Sequence, residues 1–261
     1  MKKNKLVALI LAALFVLMTL AACAPTATSD PTDAPEATDA PEATDAPDAT
    51  DVPEQSDSEG KVYRTYLTAE ATTLNRQDNV DTYPDTPMSY CSSYLYRTYP
   101  TEDGKGYQYI PDLAAELPIQ MDEEGYVWQI KLREEACWHN GEPINADTWM
   151  YTFRMYLDPI LANKMAGMFS EYILNGYEYF MQGTSNTVAW EDVGIKKIDD
   201  YTLEITFADT KTQFSACTPF NGADVSPVYE PLYEAGMNES RTETAYGSTL
   251  DNWMGCGPYY F

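Results

Sequence analysis

The residues best suited to chemistry in this sequence are five cysteines and a single histidine, His139. Metal and thiol redox sites usually contain two cysteines separated by two residues, Cys-x-x-Cys, or several histidines. Four of the cysteines lie far apart and match neither pattern: Cys91, Cys137, Cys217 and Cys256. We therefore predict a structural role for His139, no metal site and no cofactor. A single histidine also limits nucleophilic catalysis, and no glycine-rich nucleotide loop is present, so we predict no enzyme activity; a lysine- or carboxylate-based site stays open.

The pairing of these four cysteines is not fixed by the sequence. Export would permit disulfides, and four cysteines allow three pairings. A domain of about 200 residues can bury a core without disulfides, and free cysteine packs as a small apolar residue. We favour free, buried thiols.

The fifth cysteine, Cys23, ends an N-terminal export signal. Lysines precede an uncharged apolar run from Leu6 to Ala22, the arrangement of a secretory signal peptide. The run closes on Leu-Ala-Ala-Cys, which resembles a bacterial lipobox, so we predict that residues 1–22 are removed and that Cys23 is lipidated. The alternative is an uncleaved helix that anchors the chain itself. Both hypotheses place the remainder outside the cytoplasmic membrane, on the cell surface or the periplasmic side.

Residues 23–60 are predicted to form an extended tether. The stretch Ala24–Gly60 has eleven acidic residues and no Lys, Arg or aromatic residue, and a Thr-Asp-Ala-Pro-Glu-Ala hexad starts at Thr32 and recurs. Frequent proline and like charges without large apolar side chains cannot form a core. The tether would hold the folded part away from the lipid.

The charge of the chain disfavours two classes of partner. Its net charge is −25, the sum of +3 on the signal segment, −11 on the tether and −17 on residues 61–261. Such acidity disfavours binding to nucleic acid and electrostatic adhesion to anionic lipid.

Residues 61–261 are predicted to fold as a mixed α/β domain. Apolar residues alternate along Tyr126–Leu132 and Tyr201–Phe207, which indicates two half-buried strands. A tight hairpin at Asp199-Asp200 would join the second strand to Val193–Ile198. Asn145 is placed to cap a helix that ends near Pro159. A second helix is predicted across Met165–Phe180, and the helix aromatics are predicted to be core.

Several motifs in fixed order carry a family resemblance. They are the turn Pro111–Ala114, a strand ending at Arg133, the run Trp138–Pro143, the capped helix, NGYEYFMQG, VGIKKIDDYTLEITF and Gly255–Tyr259. In this order they resemble the family 5 extracellular solute-binding proteins, which include oligopeptide- and dipeptide-binding proteins of ABC importers. The resemblance covers most of residues 61–261.

The resemblance implies an α/β fold shaped as a two-lobed periplasmic-binding-protein clamp. Residues 61–261 would be its N-terminal part: a hinge lobe from about 61–90 and 228–261, and an inserted subdomain from about 91–227. The first lobe region would therefore be present, and we expect the sequence to continue into the second lobe in the complete protein.

The resemblance also implies ligand contacts and partners. Val80, Asp81 and Thr82 match positions that approach the ligand backbone, after Leu74-Asn75-Arg76, which replaces the family's usual Leu-Asp-Pro. Met165 matches a position that can be a ligand-facing tyrosine. The implied partners are a peptide, the permease subunits of an ABC transporter and, through Cys23, the membrane; we expect a monomer.

Other functions remain open at this stage. The same fold could bind a dipeptide, an oligosaccharide, a nickel chelate or haem. A surface adhesion lipoprotein would use the tether equally well, and an exported hydrolase is a third hypothesis.

Overall fold

The computed structural model describes residues 62, 64, 71–79 and 85–260. Residues 63–261 form one compact unit. The predicted signal peptide, Cys23 and the whole of the tether lie outside the described residues, and the division into hinge lobe and inserted subdomain stays a prediction. The α-helices of the described part are α1 (Asp85–Cys91), α2 (Ala146–Tyr156), α3 (Ala166–Tyr172), α4 (Gly176–Met181), α5 (Gln213–Cys217) and α6 (Glu230–Ala235). Its strands are β1 (Tyr96–Pro100), β2 (Tyr107–Pro111), β3 (Ile119–Gln120), β4 (Val127–Lys131), β5 (Ile195–Asp199) and β6 (Thr202–Thr206).

The centre of the described part is a four-stranded antiparallel sheet in the order β3-β4-β6-β5. Both predicted strands are confirmed as β4 and β6, and the predicted hairpin joins β5 to β6. Trp128 and Ile130 on β4 face Ile205 and Leu203 on β6, and all four side chains are buried. The period of two therefore places one face of the sheet on the core, as the alternation predicts.

A separate two-stranded antiparallel ribbon, β1 with β2, precedes this sheet. Its tyrosines Tyr99 and Tyr107 are exposed, whereas Tyr96 at its base is fully buried. Tyr109 on β2 contacts the ring of Phe214 on α5 at a centroid distance of 4.7 Å. The ribbon is thus attached to the core at one end and exposed at the other.

Helix α2 begins at the predicted cap. Asn145 has extended backbone geometry, and its Oδ1 accepts hydrogen bonds from the amides of Asp147 (3.0 Å) and Thr148 (3.2 Å). The Thr148 hydroxyl accepts from the Asn145 amide in return, which completes a capping box. Two of the amides that a helix start leaves unpaired are satisfied by one side chain.

Loss of this cap gives a first testable expectation. Asn145→Ala should lower the free energy of unfolding by about 1 kcal/mol, because two amides lose their acceptor. Asn145→Asp keeps an acceptor at the same place and should retain most of the stability. Urea denaturation of the three proteins measures the difference, and equal stability of the alanine variant and the parent would contradict the capping role.

The prediction of one continuous helix across Met165–Phe180 is wrong. Two short helices, α3 and α4, occupy Met165–Phe180, and residues 173–175 separate them. Asn175 adopts a left-handed backbone with φ of 56°, and Ile173 forms an isolated bridge with Phe207 beside β6. The chain leaves the helix because the amide of Leu174 donates to the carbonyl of Thr206 (3.0 Å). Pairing with the sheet thus replaces a turn of helix.

The aromatics of α2 and α3 pack in or against the core, as predicted, but Tyr177 of α4 is exposed, so the prediction is wrong for that residue. Trp149 and Phe153 of α2 are fully buried. Phe153 stacks on Phe169 of α3 at a centroid distance of 5.4 Å, and its edge contacts Phe220 at 5.9 Å. One aromatic cluster therefore joins the two helices to the chain that follows α5.

The four cysteines are free, which confirms the favoured hypothesis for the thiols. Cys91 and Cys217 are buried, but Cys137 is exposed and Cys256 is partly exposed, so the prediction of burial is wrong for Cys137. Burial raises the pKa of the Cys217 thiol to about 12, which keeps it protonated at neutral pH.

Candidate functional site

Three separate stretches of chain enclose a groove of about 600 Å³. They are residues 72–79, which we call the anchored loop, residues 161–164 after α2, and residues 242–248 after α6. Most of the lining side chains are hydroxyl or amide groups. The groove is lined by Thr72, Thr73, Asn75, Asp78, Asn79, Leu161, Asn163, Lys164, Thr242, Glu243, Thr244, Ala245, Tyr246 and Ser248.

The outer side of the anchored loop is held by Gly247. The amide of Leu74 donates to the Gly247 carbonyl at 2.7 Å. Gly247 has φ of +76°, and a Cβ atom there would collide with the backbone nitrogen of Asn75. Only glycine adopts this backbone geometry readily and also permits this close approach.

The inner side of the anchored loop is held by Gln77, which is buried. Its Nε2 donates to the Thr152 carbonyl of α2 at 3.2 Å, and its own amide donates to Asn75 Oδ1 at 3.3 Å. The Gln77 carbonyl accepts from the Met165 amide at 3.2 Å. The anchored loop is therefore bonded to both helix α2 and the start of α3.

One of the four predicted ligand contacts, Met165, lies within the described residues. Met165 lies beside the anchored loop, and its carbonyl accepts from the Tyr156 hydroxyl at 2.8 Å. Its side chain is partly buried against the core, and the neighbouring Lys164 lines the groove. Val80, Asp81 and Thr82 lie outside the described residues; Asn79, directly before them, is buried at the groove.

Arg76 in the anchored loop has a structural role. Its side chain is buried, and Nη2 contacts Asp224 Oδ1 at 3.3 Å. The guanidinium is thus directed into the protein, away from the groove. Asn75 and Arg76 stand where the resemblance places Asp-Pro. Asn75 accepts a hydrogen bond from the Gln77 amide inside the loop, and Arg76 joins the loop to Asp224.

The wall at residues 242–248 is fixed by an ion pair at its base. Arg241 donates to both carboxylate oxygens of Glu234 at 2.8 Å, and the Tyr151 hydroxyl donates to Glu234 at 2.7 Å. The bonds from Arg241 and then from Tyr151 lower the pKa of Glu234 to about 2, against burial, which would raise it. Helix α6 and the groove wall are joined through this carboxylate.

This pKa shift predicts an acid-sensitive contact. The folded value lies below the ordinary value of 4.5, so the contribution to stability is complete above that pH and is lost as pH falls from about 4.5 towards 2. Glu234→Gln should therefore show a smaller loss of unfolding free energy between about pH 5 and pH 3 than the parent. Urea titrations across that range measure the slopes; parallel slopes would contradict the assignment.

His139 contacts the Gly255–Tyr259 motif. Its Nε2 lies 2.9 Å from the Gly257 carbonyl, and its ring packs at 4.1 Å from the ring of Tyr260. A Cβ atom at Gly255 would collide with the imidazole, so this glycine is needed for the contact. Within the described residues, no group of three His, Cys, Asp or Glu side chains could hold a metal ion.

The run Trp138–Pro143 supports the same region. Trp138 is buried and contacts Tyr229 at a centroid distance of 5.4 Å, and the Tyr229 hydroxyl donates to Glu142 at 2.8 Å. Gly141 adopts φ of +85° in the turn. Trp138 therefore packs into the core of the domain. In the described part of the chain, no helix is both long and apolar enough to span a membrane.

The motifs that position this groove recur in known proteins. The profile described as bacterial extracellular solute-binding proteins, family 5 Middle, matches residues 108–261. The chain belongs to this family. The match includes β2 to β6, helices α2 to α6 and two of the three groove walls.

Individual family members are similar over part of their length. Dipeptide-binding protein DppE of Bacillus subtilis is 27% identical over 159 residues, which is 61% of this chain and 26% of DppE. Periplasmic oligopeptide-binding protein OppA of Escherichia coli is 29% identical over 93 residues, 36% of this chain and 17% of OppA. A structure of Listeria monocytogenes OppA bound to peptide superposes with a TM-score of 0.59 at 26% identity, covering 73% of this chain and 34% of that one.

These matches confirm the predicted fold class. The described domain has part of the α/β fold of the OppA-type periplasmic binding proteins. The chain spans about a quarter or less of the length of the curated relatives it matches, and about a third of the solved ones.

Proposed function

We propose that the protein captures peptides outside the cytoplasmic membrane and delivers them to an ABC importer. The observation that carries the proposal is the groove, in which the anchored loop meets residues 161–164 and 242–248, in a chain of the family 5 solute-binding proteins. Relatives named for dipeptide and oligopeptide binding support peptides as the ligand class.

The lining of the groove suits a ligand whose main chain forms hydrogen bonds with the protein. Its threonine, serine and asparagine side chains donate and accept hydrogen bonds, and they can bind a peptide backbone directly or through water. Backbone bonds supply affinity that does not depend on the side chains of the ligand. The proposal needs no covalent chemistry and no cofactor. The groove on this chain would supply one side of the site, and the rest of the complete protein the other.

Delivery would depend on closure of a clamp. Binding stabilises a closed state when some ligand contacts form only in that state, and the permease would recognise the closed form. Cys23 would carry a lipid that retains the protein at the membrane, with residues 24–60 as the tether. We propose that the protein acts as a monomer.

Ligand-dependent stabilisation tests this proposal. The complete protein, expressed from its full reading frame starting at residue 23, should melt at a higher temperature in a mixture of short peptides. A ligand at about 100 times its Kd stabilises by about 2.7 kcal/mol. Oligosaccharide mixtures provide the control. An unchanged melting temperature in peptides together with a rise in oligosaccharides would contradict the proposal, and mass analysis of the recovered peptides reports any hydrolysis.

A further inference from the structure

The groove contains one ion pair that is open to solvent. Lys164 Nζ lies 3.1 Å from Asp78 Oδ2, and the two side chains are 58% and 42% exposed. The same ammonium also contacts the Asp78 carbonyl at 3.4 Å. The pair joins the anchored loop to the residues before α3, and both members line the groove.

A third charged residue, Glu243, lines the same groove. Glu243 is exposed, belongs to the wall at residues 242–248 and forms no ion pair within the part of the chain that the structure describes. The nearby Arg241 is fully engaged, since it donates to both oxygens of Glu234. Lys164 and Asp78 cancel, so the described lining keeps the single negative charge of Glu243.

We propose that Lys164 sets the charge preference of the groove, and that the groove favours peptides with a lysine or arginine side chain over those with an acidic one. This inference rests on the proposed peptide-binding function. Lys164 weakens the preference for cationic side chains, because its positive charge neutralises Asp78. An exposed ion pair contributes little to stability, so removing Lys164 changes the charge of the groove without unfolding it.

The size of the effect follows from Coulomb's law at short range in water. Unit charges about 7 Å apart in a water-like medium change affinity by roughly threefold, and the contrast between a cationic and an anionic side chain doubles that free energy. Lys164→Met should therefore raise the ratio of lysine-peptide to glutamate-peptide affinity by about three- to tenfold at low ionic strength. Salt near 1 M should remove most of the change, because screening then acts over about 3 Å.

Two further variants test whether the affinity ratio follows the net charge of the groove, and a third serves as a control. Glu243→Gln should lower the ratio towards one, because the described lining then carries no net charge. The double variant Asp78→Asn/Lys164→Met restores the net charge of the parent, and its ratio should return close to the parental value. Lys105→Met, in the exposed turn between β1 and β2, removes the same charge from a residue that does not line the groove and should leave the ratio unchanged.

The experiment is isothermal titration of the complete protein with alanine peptides of three to five residues that carry one central lysine, glutamine or glutamate. A raised ratio in Lys164→Met, absent in Lys105→Met and reversed in the double variant, supports the proposal. If the parent binds these peptides and Lys164→Met behaves as Lys105→Met, the inference fails while the proposed function stands. If the parent binds none of the peptides, the proposed function fails and this inference with it.

Discussion

Phe153→Ala is expected to lower the free energy of unfolding by about 3–5 kcal/mol. The side chain is fully buried, and its ring contacts Trp149, Phe169 and Phe220 at centroid distances of 5.4, 5.4 and 5.9 Å. Truncation removes apolar contacts and leaves a cavity between helices that cannot close fully. Guanidinium denaturation monitored by far-UV circular dichroism measures the loss.

Phe214→Ala is the matched control for this prediction. Phe214 is 56% exposed and contacts only the ring of Tyr109 among the ring contacts of the described residues. Its truncation should cost about 1 kcal/mol or less, as for an aromatic pair near the surface. Equal losses in the two variants would show that the cluster around Phe153 is not the core of the domain.

Gly247→Ala is expected to lower the free energy of unfolding by about 2–5 kcal/mol, through left-handed backbone strain and a steric collision. The added methyl group would meet the backbone of Leu74 and Asn75. The anchored loop must then move away from residues 242–248, which widens the groove. Peptide affinity of the complete protein should fall together with stability.

Gly141→Ala separates strain from collision. Gly141 also has positive φ, at +85°, but a Cβ atom there meets no atom within 4 Å. This variant should lose about 1–2 kcal/mol from backbone strain alone and keep its peptide affinity. If both glycine variants lose the same stability and the same affinity, close packing at Gly247 does not hold the anchored loop.

Local patterns in the sequence predict the elements that depend on near neighbours. The alternation in Tyr126–Leu132 predicts β4, because burial of every second side chain is a property of the strand itself. Asn145 predicts the start of α2, since the cap and the amides that it satisfies lie within three residues. The motif order from Pro111 to Tyr259 predicts the family.

Features that depend on contacts between distant parts of the chain cannot be predicted from local sequence patterns. The break between α3 and α4 follows from pairing of Leu174 with Thr206, and periodicity in Met165–Phe180 cannot report that bond. The wall at residues 242–248 reaches the anchored loop through Gly247, about 170 positions after Leu74. Glycine at this position is the signal that suggests a close approach, but the sequence does not show which segment is approached.

The residues of the candidate groove are predictable only in part for the same reason. The family resemblance leads to Met165 and the anchored loop, which the structure places side by side. It does not lead to Lys164, Asp78 or Glu243, whose shared position depends on the fold. Val80, Asp81 and Thr82 remain predicted ligand contacts.

Native mass spectrometry tests the central claim most directly. The complete protein from residue 23 onward would be incubated with a library of short peptides, exchanged into volatile buffer and weighed before and after denaturation. Peptide capture predicts added mass on the folded protein and release of intact peptides on unfolding, whose lengths define the site. A protein that carries no peptide after exposure to the library, while an oligosaccharide or a metal chelate adds mass under the same conditions, would contradict the proposed function.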